Sequence, residues 1–203
     1  MPKRLLALVA SLMLIACQTP APDTDGPRLP LAVPAPAIDL PAITLPPRLG
    51  ELTLTGSAMT ERAEARMFFY QHTDTGETAR VLVYAFPGGW EDMAPLQVIG
   101  GHYGQVREQE LTRLQRRGYG TIEGRDEGLY VTDELAYPVA EVLLLPAEQA
   151  NKPAVVLMVA ATRPAFIRLI RETPQAQAEQ TLARSREDIA RLVAAVANSL
   201  TPP

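Results

Sequence analysis

The chain has 203 residues, with 19 basic and 23 acidic side chains, two histidines and a single cysteine. One cysteine excludes an intramolecular disulfide and a zinc site built on several thiolates. A formal net charge of -4 without a long basic run argues against nucleic-acid binding through phosphate neutralisation.

We expect residues 1–16 to be an export signal that is removed. Lys3 and Arg4 form a positive start, and residues 5–14 are a continuous apolar run. A membrane-spanning helix needs about 20 apolar residues, so this run is too short to be a permanent anchor.

The signal ends in Leu14-Ile15-Ala16-Cys17. This tetrapeptide resembles the lipobox of bacterial lipoproteins. The resemblance implies that Cys17 receives a diacylglyceryl thioether, becomes the first residue after cleavage and is then acylated on its amino group, which would anchor the chain to a membrane. Gln18 replaces the aspartate that commonly retains such proteins in the inner membrane, which implies the outer membrane and a periplasmic domain. The alternative is an ordinary secretory signal with an unmodified cysteine.

Residues 17–50 comprise the lipidated cysteine and a proline-rich tether. Prolines recur at positions 20, 22, 27, 30, 34, 36, 41, 46 and 47. Because proline removes backbone donors and favours extended polyproline II, we expect a spacer between membrane and domain. Two short apolar pieces, residues 37–40 and 43–45, are candidates for docking on the domain.

Residues 51–203 are predicted to form a single domain that opens with three strands, at residues 51–55, 65–72 and 80–86. Asp74 and Gly76 suit a tight turn, so the second and third strands are predicted to pair as a hairpin, with His72 at the turn.

An amphipathic helix is predicted over residues 102–117, followed by Gly118 as a C-cap. Arg113, Arg116 and Arg117 lie in its last turns, where cations suit the negative end of the helix dipole. Strands are expected next at residues 119–126, 129–133 and 136–145, with a turn at Glu127-Gly128.

A continuous apolar run at residues 154–162 indicates a strand buried on both faces. Residues 165–173 fit a helical turn or a strand, and the short connection before them favours a strand that pairs with its predecessor. An apolar stripe over residues 175–200 predicts a long terminal helix packed across one face of the sheet.

Strands grouped around two helices predict an α+β fold with a largely antiparallel sheet. The order of lipobox, proline tether, sheet and terminal helix looks like many small envelope domains of unassigned function. Residues 86–90 (FPGGW) and 196–200 (VANSL) are similar to segments of the PsbP and Mog1-like α+β sandwich group. That resemblance implies a non-catalytic assembly or binding module.

The groups that could carry chemistry are few. His102 and Tyr103 lie in the motif GGHYG, whose glycines beside a helix start could place backbone donors around an anion; a flexible loop entering the helix is the alternative. The serines lie outside a GxSxG elbow, and the HxH, HExxH and calcium-loop patterns are absent from the sequence. We therefore expect neither a metal nor a cofactor.

Three arginines, Arg163, Arg168 and Arg171, lie around an apolar segment. On a strand, Arg168 and Arg171 would point to opposite faces, where they either pair with carboxylates or belong to an interface. Trp90, in the loop before the middle helix, either caps the core or is an exposed interface anchor.

The sequence favours a non-enzymatic envelope lipoprotein whose domain binds another protein or an envelope component. A purely structural role in envelope integrity is not separated from it by the sequence. The alternative is a small-ligand-binding or hydrolytic domain centred on the His102 loop and the nearby acidic turns. The candidate binding residues are Trp90, His102, Tyr103, Arg163, Arg168 and Arg171.

Overall fold

The computed structural model describes residues 33–201. The predicted signal, Cys17 and the first part of the tether lie outside these residues. No helix of the described part is long and apolar enough to cross a membrane.

Eight strands form one sheet in which each neighbouring pair is antiparallel. The strands are β1 (Arg48–Leu49), β2 (Leu52–Met59), β3 (Ala65–Gln71), β4 (Thr78–Ala85), β5 (Ile122–Tyr130), β6 (Val139–Pro146), β7 (Ala154–Thr162) and β8 (Ala165–Thr173). Their order across the sheet is β1-β2-β3-β4-β8-β7-β6-β5. The α-helices within residues 33–201 are α1 (Pro95–Arg116) and α2 (Ala178–Leu200). The predicted α+β class with an antiparallel sheet is confirmed.

The sheet has a separate apolar core on each face. Alternate residues along a strand point to opposite faces, so β7 contributes Val156 to one core and Leu157 to the other. The first core includes Leu182 and Ile189 of α2, and the second includes Val106 of α1. Complete burial of each such side chain contributes about 1.5–3 kcal/mol.

Several predicted elements are confirmed at the level of strand pairing. β7 covers residues 154–162 as expected, and residues 165–173 form a strand that pairs with it. The predicted hairpin is the β3 and β4 pair, in which Gln71 lies opposite Thr78.

The predicted start of α1 at residue 102 is wrong. The helix begins at Pro95, a residue that suits the first helical position because its φ is fixed and its missing N–H needs no partner there. His102 therefore lies about two turns inside the helix, and its flanking glycines are helical residues. The buried residues of α1 include the charged Glu110 as well as the apolar Val98 and Leu114.

The predicted turn at Glu127-Gly128 is also wrong. A single strand, β5, runs through it and pairs with β6 on both sides of a register shift between Arg125 and Gly128. Asp126 has φ 50°, as in a β-bulge that absorbs an extra residue. Turn-forming residues here bend a strand without ending it.

Part of the segment assigned to the tether packs with the domain. Its buried apolar side chains join the core beneath α2, and they are Leu40, Ile43, Leu45 and Leu49. Arg66 donates to the carbonyl oxygen of Pro41 and, at 2.7 Å, to that of Ile43. The hydroxyl of Tyr70 donates to the carbonyl of Pro46 at 2.8 Å. The two apolar pieces that were candidates for docking are docked.

The first described residues lie against the loop between β4 and α1. An ideal Cβ built on Gly88 would lie 1.8 Å from the carbonyl oxygen of Val33 and 2.7 Å from that of Pro34. Only glycine allows so close an approach of two backbones. The chain therefore reaches the domain at the end of the sheet where β4 finishes and β8 begins.

Candidate functional site

Two of the predicted residues, Trp90 and His102, lie together in an aromatic cluster. The ring of His102 stacks on Phe166, with ring centroids 4.1 Å apart and planes 24° from parallel. Trp90 meets both rings edge-on, at 6.3 Å from His102 and 6.2 Å from Phe166. Trp90 is half-buried and packs on the core beneath α1. Of the two alternatives for Trp90, the packing agrees with a core cap, and the part of the indole left at the surface agrees with an interface anchor.

The imidazole of His102 is uncharged at neutral pH. Its Nε2 and the hydroxyl of Tyr84 share a hydrogen bond of 2.7 Å. Burial, and then the positive charge of Arg168, lowers the pKa of His102 to about 4. Burial raises the pKa of Tyr84. A general base works best when its pKa is near the working pH, so this histidine is a weak one.

Tyr103 follows His102 in the chain but contacts a different element. Its hydroxyl donates to Oε1 of Glu127 on β5 at 3.0 Å. Arg107 forms an ion pair with the same oxygen at 2.8 Å. The structure therefore does not bring Tyr103 and the acidic bulge together with His102.

Arg168 and Arg171 lie on opposite faces of the sheet, as predicted, and both pair with carboxylates. Arg168 faces α1 and contacts Glu110 at 3.0 Å, a residue whose side chain is fully buried. Arg171 faces α2, is 1% exposed, and binds Glu77 at 2.5 Å and Asp188 at 3.0 Å. A buried pair of this kind holds elements in register but adds little net stability over apolar packing.

The remaining predicted groups lie on turns. Arg163 is exposed in the turn between β7 and β8. The Nδ1 atom of His72 accepts the backbone N–H groups of Asp74 and Thr75, at 3.1 and 3.3 Å, and so closes the β3 and β4 hairpin. Residues 33–201 contain no cluster of histidine, cysteine and acidic side chains able to hold a metal ion.

A cationic cluster around Arg80 was not predicted. Arg80 on β4, Arg113 and Arg117 at the end of α1, and Lys152 before β7 line one cleft of about 960 Å³ together with Glu172 of β8. The basic last turn of α1 was visible in the sequence, where it indicated only a helix end. The strand order that brings β4 beside β8 completes the cluster.

A search of protein-family models finds no match to the chain, and a search of curated proteins finds none either. The resemblances to bacterial lipoproteins and to the PsbP and Mog1-like group stay predictions.

Proposed function

We propose that the chain is a lipid-anchored envelope protein, held on the outer membrane through Cys17 and facing the periplasm, whose domain is a non-catalytic binding or accessory module. The observation that carries this proposal is the use of both histidines in structural contacts. His102 is a neutral member of an aromatic cluster, and His72 closes a hairpin turn. The single cysteine is assigned to the anchor. The side chains best suited to nucleophilic or general acid-base work at neutral pH therefore have other roles.

The partner surface that we propose lies where the tether reaches the domain. Leu96, in the first turn of α1, is 58% exposed and follows half-buried Trp90 by six residues in the chain. Val33 is 60% exposed and lies against Gly88 and Gly89, which directly precede Trp90. An aromatic anchor beside exposed apolar side chains is typical of protein interfaces. We further propose that α1 is an amphipathic helix whose polar side stays in solvent.

Photo-crosslinking in intact cells tests this proposal. A photoreactive amino acid is placed at Leu96, and a matched probe is placed at Leu129, an apolar residue 46% exposed on β5 at the edge of the sheet. We expect one dominant protein adduct from position 96, its loss in the Trp90→Ala variant, and no such adduct from position 129. Equal adduct patterns from both probes, or no adduct from either, would contradict a partner at this surface.

One observation favours the alternative of a small-ligand site near His102. A cavity of about 640 Å³ is lined by Met59, Met67 and Tyr84, and Tyr84 is the hydrogen-bond partner of His102. Its lining suits an apolar ligand, and this favours binding over hydrolysis. The fluorescence of N-phenyl-1-naphthylamine with the unaltered chain and with Met67→Lys tests this site. Enhancement that Met67→Lys abolishes supports the site, and no enhancement with the unaltered chain eliminates it.

A further inference from the structure

A basic cleft lies at the end of the sheet opposite the point where the tether reaches the domain. Its volume is about 960 Å³, and its lining includes Thr78, where β4 begins; Gly88, which contacts the tether, follows the other end of the same strand. The cations of the lining are Arg80, Arg113, Arg117 and Lys152.

Positive charge exceeds negative charge around this cleft. Arg168 lies beside Arg80, so five cations face the carboxylates of Glu110 and Glu172. Glu77 also borders the cleft, but its carboxylate is bound at 2.5 Å by Arg171, which lies on the opposite face of the sheet. The whole chain has a net charge of -4, so the positive excess is local. A cleft with charge of one sign focuses the field and attracts counter-ions.

The carboxylates near Arg80 are already occupied by other arginines. Glu110 accepts from Arg113 at 2.9 Å and from Arg168 at 3.0 Å. Glu172 accepts from Arg113 at 3.1 Å and from both terminal nitrogens of Arg117. Within residues 33–201 the buried Nη2 of Arg80 has no hydrogen-bond partner. Buried donors are nearly always paired in folded proteins, with protein groups, ordered water or a ligand, so this donor is available to a water or to an anion.

A bound anion would stabilise the charged form of Arg80. Burial, followed by the positive charge of Arg113, lowers the pKa of Arg80, which means that its charged form is disfavoured where it lies. An anion in the cleft would place negative charge and hydrogen-bond acceptors beside the guanidinium of Arg80.

We propose that this cleft binds a phosphate group carried on a larger molecule, with Arg80 as the inner donor and Lys152 as an outer one, while Arg117 adds positive charge and stays paired with Glu172. A guanidinium offers two parallel donors that match the oxygens of phosphate. The charge excess suits a dianionic phosphate better than a singly charged carboxylate. The cleft has room for more than phosphate alone, and Phe69 and Gln175 in its lining offer apolar and polar contacts to the attached group. The phosphate belongs either to a soluble compound or to a lipid headgroup. The proposal is independent of the lipid anchor and of the surface around Trp90.

Calorimetric titration of the full chain with phenyl phosphate, at constant ionic strength, tests the site. We expect Arg80→Gln to weaken binding by about 10- to 100-fold, as for the loss of a charge-assisted hydrogen bond. Arg80→Lys retains the charge but not the planar pair of donors, so an intermediate loss is expected. The charge-matched control is Arg125→Gln, an exposed residue on β5 at an edge of the sheet, which should change affinity by less than about twofold.

Lys152→Gln keeps the test decisive if Arg80→Gln does not fold, because Lys152 lies in a loop and its removal should still weaken phenyl phosphate binding by about 3- to 10-fold. Sedimentation with phosphatidylcholine vesicles, with and without phosphatidic acid, separates the two sources. Arg80-dependent vesicle binding identifies a lipid headgroup, and binding of phenyl phosphate alone identifies a soluble compound. No binding of either probe, or equal weakening by Arg80→Gln and Arg125→Gln, would overturn the proposal.

Discussion

Replacing Ile43 by alanine tests whether the proline-rich segment is part of the folded domain. Ile43 is 0% exposed and belongs to the same core as Phe68 and Val193. Truncation of a fully buried isoleucine removes its transfer free energy and leaves a cavity, so we expect the free energy of unfolding to fall by about 2–4 kcal/mol. A tether residue in solvent would show almost no effect.

Urea denaturation of the full chain measures this change. With a denaturant slope of about 2 kcal/mol per molar, the midpoint should fall by about 1–2 M in Ile43→Ala. Val33→Ala is the control in the same segment, since Val33 is 60% exposed, and it should shift the free energy of unfolding by less than about 0.5 kcal/mol. Equal midpoints for both variants would refute the docking of this segment and return the start of the domain to residue 51.

Three further predictions concern residues with assigned roles. Arg171→Met removes the hydrogen-bonded arginine from two buried carboxylates and should lower the free energy of unfolding by about 3–5 kcal/mol. Arg163→Met, at an exposed turn, should change it by less than about 0.5 kcal/mol; equal melting temperatures would contradict the difference. Because the pKa of His102 is lowered from 6.5 to about 4 on folding, the unfolded chain binds its proton first as the pH falls through that interval. The free energy of unfolding should therefore fall by at most about 3 kcal/mol, a value that solvent screening reduces because the ring is half-buried. Urea midpoints against pH should therefore be flatter in His102→Phe, and an unchanged slope would exclude this role. Gly88→Ala should displace the carbonyl of Val33, which lies 1.8 Å from an ideal Cβ, and so expose the tether segment to proteolysis. The control Gly100→Ala has open space around it and should raise the free energy of unfolding by up to about 1 kcal/mol. Equal rates of proteolytic cleavage in the two variants would count against the contact between Val33 and Gly88.

The elements that could be predicted are those with a local pattern. The apolar run of β7 is buried on both faces, so its composition alone defines a central strand. β5 has no such pattern, because most of its residues are exposed and its middle has the composition of a turn. Pairing with β6, a contact made by distant residues, decides its structure.

The start of α1 also depends on distant contacts, so its local sequence did not predict it. Gly100 and Gly101 are poor helix formers and made the segment before His102 resemble a loop. Complete burial of Val98 and Ile99 against the sheet outweighs that cost in the folded chain. Tertiary packing therefore extends the helix beyond what its local propensity predicts.

The candidate sites also divide into those that a local pattern predicts and those that depend on contacts between distant residues. The opposite orientation of Arg168 and Arg171 follows from strand alternation and was predicted. The cleft around Arg80 depends on which strands are neighbours, and no spacing within the sequence brings Arg80, Arg113 and Lys152 together.

Mass spectrometry of the N-terminal peptide from chain isolated from cell membranes tests the central proposal most directly. We expect a peptide that starts at Cys17 and carries a diacylglyceryl thioether and an amide-linked acyl chain. We also expect Cys17→Ser to release the protein from the membrane fraction. A peptide with a free Cys17 thiol, or one that starts at another residue, would contradict a lipid-anchored module.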